Sequence, residues 1–416
     1  MASDRHGHSV AGCSGGFGLI GLALVLGQAC AGGQVNHGAQ PSPELAIIER
    51  FRAEIPELMR KNDIPGLAIA VVDRETVLWA QGFGSTDRSG RVPVSARTPF
   101  SVQSTSKAVT ATAILLAVQD GLLDLDAPIR RYVPELSVQS RFESDAAAKI
   151  TLRHLLSHTA GFTHEAPVGN NYDPTSPSFA EHVRSISRTW LRYPVGQRYS
   201  YSNLGIDLAG YALERASGKP FPAYVSERLL GPLEMADSSF APRFIKDRAD
   251  RAIGHAKAFS EVPLEIPMIP AGGLYTSATD LARFLQLHLR RGRNVAQTLL
   301  REDVIAQMYR VPWPVDGQEE GYALGLGVRH RHGLLHFTHG GGGFGFLADL
   351  MWYPEPGLGI ALLTNCSDHA LQGSLAHRVH APAAERLQPG SSRWLQRRRG
   401  PSPPRPASSE PTWAAP

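Results

Sequence analysis

The chain has 416 residues, 42% of them hydrophobic, enough to bury the core of one large domain or two. Its formal charge of +4 matches the stretch 391–416, where Arg393, Arg397, Arg398, Arg399 and Arg405 face one acid, Glu410, so the rest is neutral and does not read as a nucleic-acid-binding body. Cys13, Cys30 and Cys366 are the only cysteines, and with the first two in an N-terminal leader an intrachain disulfide framework is excluded.

Residues 15–31 form a short apolar run ending in Ala29-Cys30-Ala31, which predicts a signal peptide over 1–31, cleaved after Ala31, and export to the periplasm or medium. The run is too short for a stable membrane span, and Gly27 stands where a lipoprotein signal at Cys30 would prefer leucine. Residues 32–44 read as a linker. Leu45, Ile48, Phe51, Ile55 and Met59 then recur at helical spacing, and Leu67–Val72 with Val77–Ala80 predict a β-hairpin.

The segment Ala108–Gln119 is apolar nearly all round and predicts a buried helix with Ser104 at its N-terminus. Ile150–Phe162 reads as a capped short helix, Phe179–Trp190 as a helix, and Leu204–Ser217 as another nearly all-apolar helix stopped by Gly218. Further helices are expected at 221–230, 279–291 and 370–386. Tyr322–Val328, Leu334–Phe337, Phe344–Tyr353 and Gly359–Thr364 read as neighbouring antiparallel strands. From Pro389 only Pro, Ser and Arg dominate, and 389–416 reads as a disordered tail. The expected architecture is an α/β (α+β) domain over 45–388: an antiparallel sheet built from both ends of the chain, flanked by helices, with a helical lobe over approximately 104–265.

Ser104 and Lys107 lie three apart, which on a helix places the amine beside the hydroxyl. The helix N-terminus there favours developing negative charge. S-x-x-K alone recurs by chance, but two further motifs follow it in order: Tyr201-Ser202-Asn203 and His339-Gly340-Gly341. Together they resemble the S-x-x-K, Y-x-N and K/H-x-G motifs of class C-type β-lactamases and, more broadly, the β-lactamase-related serine hydrolases, which include D,D-peptidases, D-aminopeptidases and esterases. The stretches ITLRHLLSHTAGF, PVGQRYSYSNLGIDLAGYALE and PAGGLYTSATDLARFL are similar to family blocks, so the likeness spans approximately residues 45–386.

That resemblance implies an acyl-enzyme on Ser104, with Lys107 lowering the cost of its deprotonation and Tyr201 as general base, its pKa pulled down by the lysine cation. Asn203 would donate to Lys107 or to a substrate amide. The backbone N–H groups of Ser104 and Gly342 would form the oxyanion hole, with Gly341 giving the close approach that a glycine run permits. His339 stands where penicillin-processing members carry lysine. A neutral imidazole, with an ordinary pKa near ~6.5, offers no fixed cation to a substrate carboxylate, which leans toward an esterase or D-amino-acid peptidase. The alternatives are a class C-like β-lactamase and a catalytically weak penicillin-binding or wall-binding protein. A small-molecule or peptide substrate is expected, with no cofactor, metal or nucleic acid. His154 and His158 have helical i, i+4 spacing but lack the glutamate of a zinc H-E-x-x-H site. His330, His332 and His336 read as solvated strand histidines.

Overall fold

In a computed structural model, the structure describes residues 43–170, 177–257, 266–314, 317–331, 333–376 and 378. The expected signal peptide, nearly all of the linker, most of the closing helix, the basic tail and His332 lie outside these residues, and of the expected helix 370–386 residues 371–376 are described and helical.

The strands are β1 (Gly66–Val72), β2 (Val77–Gly84), β3 (Phe100–Ser101), β4 (Tyr275–Thr276), β5 (Gly321–Tyr322), β6 (Gly327–Arg331), β7 (Leu334–Gly343), β8 (Phe346–Tyr353) and β9 (Leu358–Thr364). Seven of them form one sheet in the order β2-β1-β9-β8-β7-β6-β5, every pair antiparallel, and β3 pairs with β4 separately. The sheet is therefore built from both ends of the chain, as the sequence implied. Strand β1 is buried along its whole length, with alternate residues serving two cores. Leu67, Ile69 and Val71 pack with Phe51, Ile55 and Met59 of helix α1 (Pro43–Lys61) on one face. Ala68, Ala70 and Val72 face the main core on the other. Each such large apolar side chain contributes about 1.5–3 kcal/mol on burial.

The helices that follow are α2 (Ser106–Gln119), α3 (Leu152–Leu156), α4 (Phe179–Arg184), α5 (Asn203–Ser217), α6 (Phe221–Val225), α7 (Pro242–Lys246), α8 (Ile269–Gly272), α9 (Ala278–Leu289) and α10 (Glu302–Ile305). Helix α2 is buried from Ser106 to Ala117, which is why its sequence lacks a polar face. The single helix expected over 221–230 is α6 followed by a π-turn, Ser226–Leu230, and the helix expected over 179–190 closes in a 3₁₀ turn, Ser185–Arg188. Helix α3 carries a capping box between Thr151 and His154, and α5 ends on Gly218 in the left-handed conformation, φ 67°.

The glycine run 340–343 is the end of strand β7 and not a loop. A two-residue turn, Phe344-Gly345, joins it to β8, with both residues at positive φ (48° and 79°) as such hairpin turns require.

Candidate active site

Ser104 sits in a 3₁₀ turn, Gln103–Thr105, that runs directly into α2. The residue before it, Gln103, holds φ at +48°, a strained value for a side chain of that size, and its amide donates to Ser101 Oγ at 2.7 Å. One turn on, Lys107 is fully buried, and its Nζ lies 2.9 Å from Ser104 Oγ and 2.8 Å from the carbonyl of Ala271. Burial strips water from the ammonium and brings the lysine pKa down to about 7, against the opposing charges of Asp207 and Glu165. At neutral pH a large share of this amine is unprotonated and able to accept a proton.

Tyr201 comes from the turn before α5. Ser202 caps that helix by accepting the Gly205 N–H at 3.0 Å, while its hydroxyl donates to the Thr163 carbonyl at 2.6 Å. This fixes the residues on either side. The Lys107 ammonium lies 4.9 Å from the centre of the Tyr201 ring. The phenol does not have the lowered pKa expected of it: burial raises it to about 12, with the nearby carboxylates adding to this and a hydrogen bond to Ser104 opposing it. The group poised near neutrality is thus Lys107, and Tyr201 is a phenol that keeps its proton.

Asn203 takes a partner the sequence does not suggest. Its Nδ2 donates to Glu165 Oε1 at 2.7 Å, while its buried Oδ1 has no partner among the described residues. The reverse amide orientation would set oxygen against oxygen, so the assignment follows from the contact. Glu165 also lies 2.8 Å from His164 Nδ1, and the His164 ring stacks on Tyr201 at 5.5 Å between centroids.

His339 and the glycines after it occupy a part of β7 that has outrun its neighbour. The β6–β7 register ends at Thr338, so among the described residues 339–343 pair only with β8. The nucleophile turn fills the edge left over. Thr105 Oγ1 donates to the His339 carbonyl at 3.3 Å, and a Cβ at Gly341 would fall 2.0 Å from the Val102 carbonyl. Gly342 is the next residue along, two short of the turn. His339 Nδ1 lies 2.7 Å from the Gly340 carbonyl, which can only accept, so the neutral ring carries its proton there and Nε2 accepts from Tyr322 at 2.8 Å. Burial, with Lys107 nearby, pushes its pKa down to about 3. This imidazole is neutral throughout the ordinary pH range.

Three contributors were not read from the sequence as part of the site. His158, at φ 59°, packs its ring 4.3 Å from Tyr201 and 4.6 Å from Tyr322. Its Nδ1 accepts the Ser202 N–H at 3.1 Å, which bonds it to the Tyr-Ser-Asn segment. Tyr322 itself gave no local signal. Asp207 did: it is the one carboxylate in the apolar stretch Leu204–Leu213 of α5, and it is buried close enough to act on Lys107. Among the described residues no group of three or more His, Cys, Asp and Glu could hold a metal, and no helix is long and apolar enough to cross a membrane. His336 is buried, stacked on Tyr353 at 5.0 Å, not solvated as its pattern implied.

The sequence model of the Beta-lactamase family matches residues 51–384. The chain belongs to the β-lactamase family. Within that family it is 28% identical over 351 residues to the D-alanyl-D-alanine-carboxypeptidase/endopeptidase AmpH of Escherichia coli K12, covering 80% of this chain and 87% of that one. It is 24% identical over 324 residues to Protein flp of Staphylococcus aureus strain COL, 77% of this chain but only 63% of that protein. Among solved structures, the octameric penicillin-binding protein homologue from Pyrococcus abyssi superposes with a TM-score of 0.67 at 27% identity, covering 81% of this chain and 76% of that one. SurE with D-Leu gives 0.65 at 28% identity, covering 82% and 76%. This β-lactamase-family membership and the mixed helix-and-sheet fold agree with the likeness read from the three motifs.

Proposed function

We propose that this chain is an exported serine hydrolase that forms an acyl-enzyme on Ser104 and acts on an ester, amide or peptide. The observation that carries the reading is the 2.9 Å contact between Ser104 Oγ and a fully buried Lys107 whose pKa is near 7. In the reaction the Ser104 hydroxyl proton passes to the neutral Lys107 amine as Oγ attacks the substrate carbonyl. The tetrahedral oxyanion is held by the N–H groups of Ser104 and Gly342. Lys107 returns the proton, through the Tyr201 phenol, to the leaving group as its bond to carbon breaks. Water then attacks the ester by the same route in reverse, and Ser104 regains its proton.

The substrate reading follows from His339. A neutral imidazole tied to Tyr322 supplies no positive charge for a carboxylate on the leaving side. This supports an esterase or D-amino-acid peptidase over a dedicated β-lactamase. AmpH, which its name describes as a D-alanyl-D-alanine carboxypeptidase and endopeptidase, supports peptides as one substrate class to test. A panel of p-nitrophenyl acetate and butyrate, D-amino-acid peptides and a chromogenic cephalosporin separates the readings. Turnover of ester or D-peptide that falls by about 10²–10⁴ in Tyr201→Phe supports the proposal. Efficient cephalosporin turnover alone would place the chain with the β-lactamases, and no turnover of any substrate with intact folding would favour a binding protein.

A further inference from the structure

Helices α2 and α5 grip the short segment at Pro270–Gly272 from two sides. Gly210 makes room for it, since a Cβ there would lie 2.3 Å from Pro270 Cγ. From α2, Thr110 Oγ1 donates to the Pro270 carbonyl at 2.7 Å. From α5, Asp207 Oδ1 accepts the Ala271 N–H at 2.9 Å. Both ends of the peptide between Pro270 and Ala271 are thus engaged, and the next carbonyl, Ala271, is the one that takes the Lys107 ammonium at 2.8 Å. Asp207 Oδ2 lies 3.0 Å from His182 Nε2, and His182 Nδ1 lies 2.7 Å from the Val168 carbonyl. Both side chains are entirely buried. A carbonyl only accepts, so His182 Nδ1 holds one proton, and a second is shared between Nε2 and Oδ2.

We propose that Asp207 and His182 are positioning residues that hold Lys107 against Ser104 and bias its protonation, tying it to the loop at Val168. The inference rests on the reading of Lys107 as the group that takes the Ser104 proton. Charges that act on Lys107 come from Asp207 on α5 and Glu165 in the loop before α4. The other groups around it are Ser104, the Tyr201 ring, and the imidazoles of His158 and His339, both held neutral by burial. Burial raises Asp207; on His182 burial lowers the pKa, but the Asp207 carboxylate, the Val168 carbonyl and Glu165 together outweigh it and raise it, so the pair keeps its shared proton at neutral pH. Asp207 is the nearer member to the clamp, and its negative end favours a protonated Lys107.

The test is the rate at which a fluorophosphonate labels Ser104 in the full chain, followed from about pH 5 to about pH 10. Asp207→Asn preserves the shape: the amide oxygen accepts from Ala271 N–H and the amide nitrogen donates to a neutral His182. The expected result is an acid limb displaced to lower pH by about 0.5–1 unit. His182→Gln removes the imidazole that favours the ionised carboxyl, so the buried Asp207 keeps the proton itself. The limb is again expected to move to lower pH, which keeps the test available should the first variant not fold. A folded variant of either kind that loses rate with the midpoint unmoved overturns the inference and assigns the pair to structure alone. Wild-type protein that is never labelled at Ser104 removes the hydrolase reading, and the inference with it.

Discussion

Gly341→Ala tests the contact between strand β7 and the nucleophile turn. The new methyl would lie 2.0 Å from the Val102 carbonyl oxygen and 3.1 Å from both the nitrogen and the Oγ1 of Thr105. Carbon and oxygen come no nearer than roughly 3.2 Å without repulsion, so the strand or the turn must yield by about 1 Å. The nearest of these atoms is backbone, and no rotamer change relieves it. Such overpacking costs about 1–3 kcal/mol of stability. The larger effect is on chemistry, because Gly342 follows directly and Ser104 lies just beyond Val102. A misplacement of about 1 Å costs on the order of 10²-fold, and an oxyanion donor lost outright about 10²–10³. Fluorophosphonate labelling of Ser104 is therefore expected to slow by about 10²–10³, with a lower melting temperature. Gly373→Ala is the control: it is exposed, and nothing lies within 4 Å of the methyl it would carry. It is expected to label within about threefold of wild type. Gly341→Ala labelling at that near-wild-type rate with an unchanged melting temperature would refute the reasoning.

Lys107→Met removes the proton acceptor. Its labelling rate is expected to fall by about 10²–10⁴, and the rise in wild-type rate with pH through about 7, where the amine becomes neutral, is expected to vanish; a pH–rate profile checks both. His339→Lys places a cation where the neutral imidazole lies, and KM for D-peptides ending in a free carboxylate is expected to fall by about tenfold relative to neutral esters, in steady-state kinetics on paired substrates. Thr151→Ala removes the cap that accepts the His154 N–H at 3.3 Å, and is expected to cost about 1 kcal/mol in urea denaturation while Ser104 labelling stays at its wild-type rate.

What could be read from the sequence was the local and the periodic. The hairpin of β1 and β2 shows in two apolar runs with a polar turn between, and α2 and α5 show in segments too apolar to be anything but buried. Ser104, Lys107, Tyr201 and His339 were legible because three short motifs in order constrain each other. The structure brings these four together. That β9 is the strand which meets β1 was not legible, because the two pair residues some 290 positions apart with no local signature. Nor was the partner of Asn203: Glu165 lies in a loop, and a glutamate in a loop reads as solvated. The lowered pKa expected of Tyr201 does not hold because burial, which the motif spacing does not show, lowers Lys107 and raises the phenol together. Asp207 was legible in principle, since a carboxylate inside an apolar helix needs a buried partner.

The central claim is that Ser104 is acylated. Intact-mass spectrometry of the wild-type chain after incubation with a fluorophosphonate or a fluorescent penicillin tests it most directly, beside Ser104→Ala. The account predicts one adduct per wild-type chain, mapped to the peptide containing Ser104, and none on the alanine variant. Equal labelling of both proteins, or a wild-type adduct mapped to another residue, would contradict it.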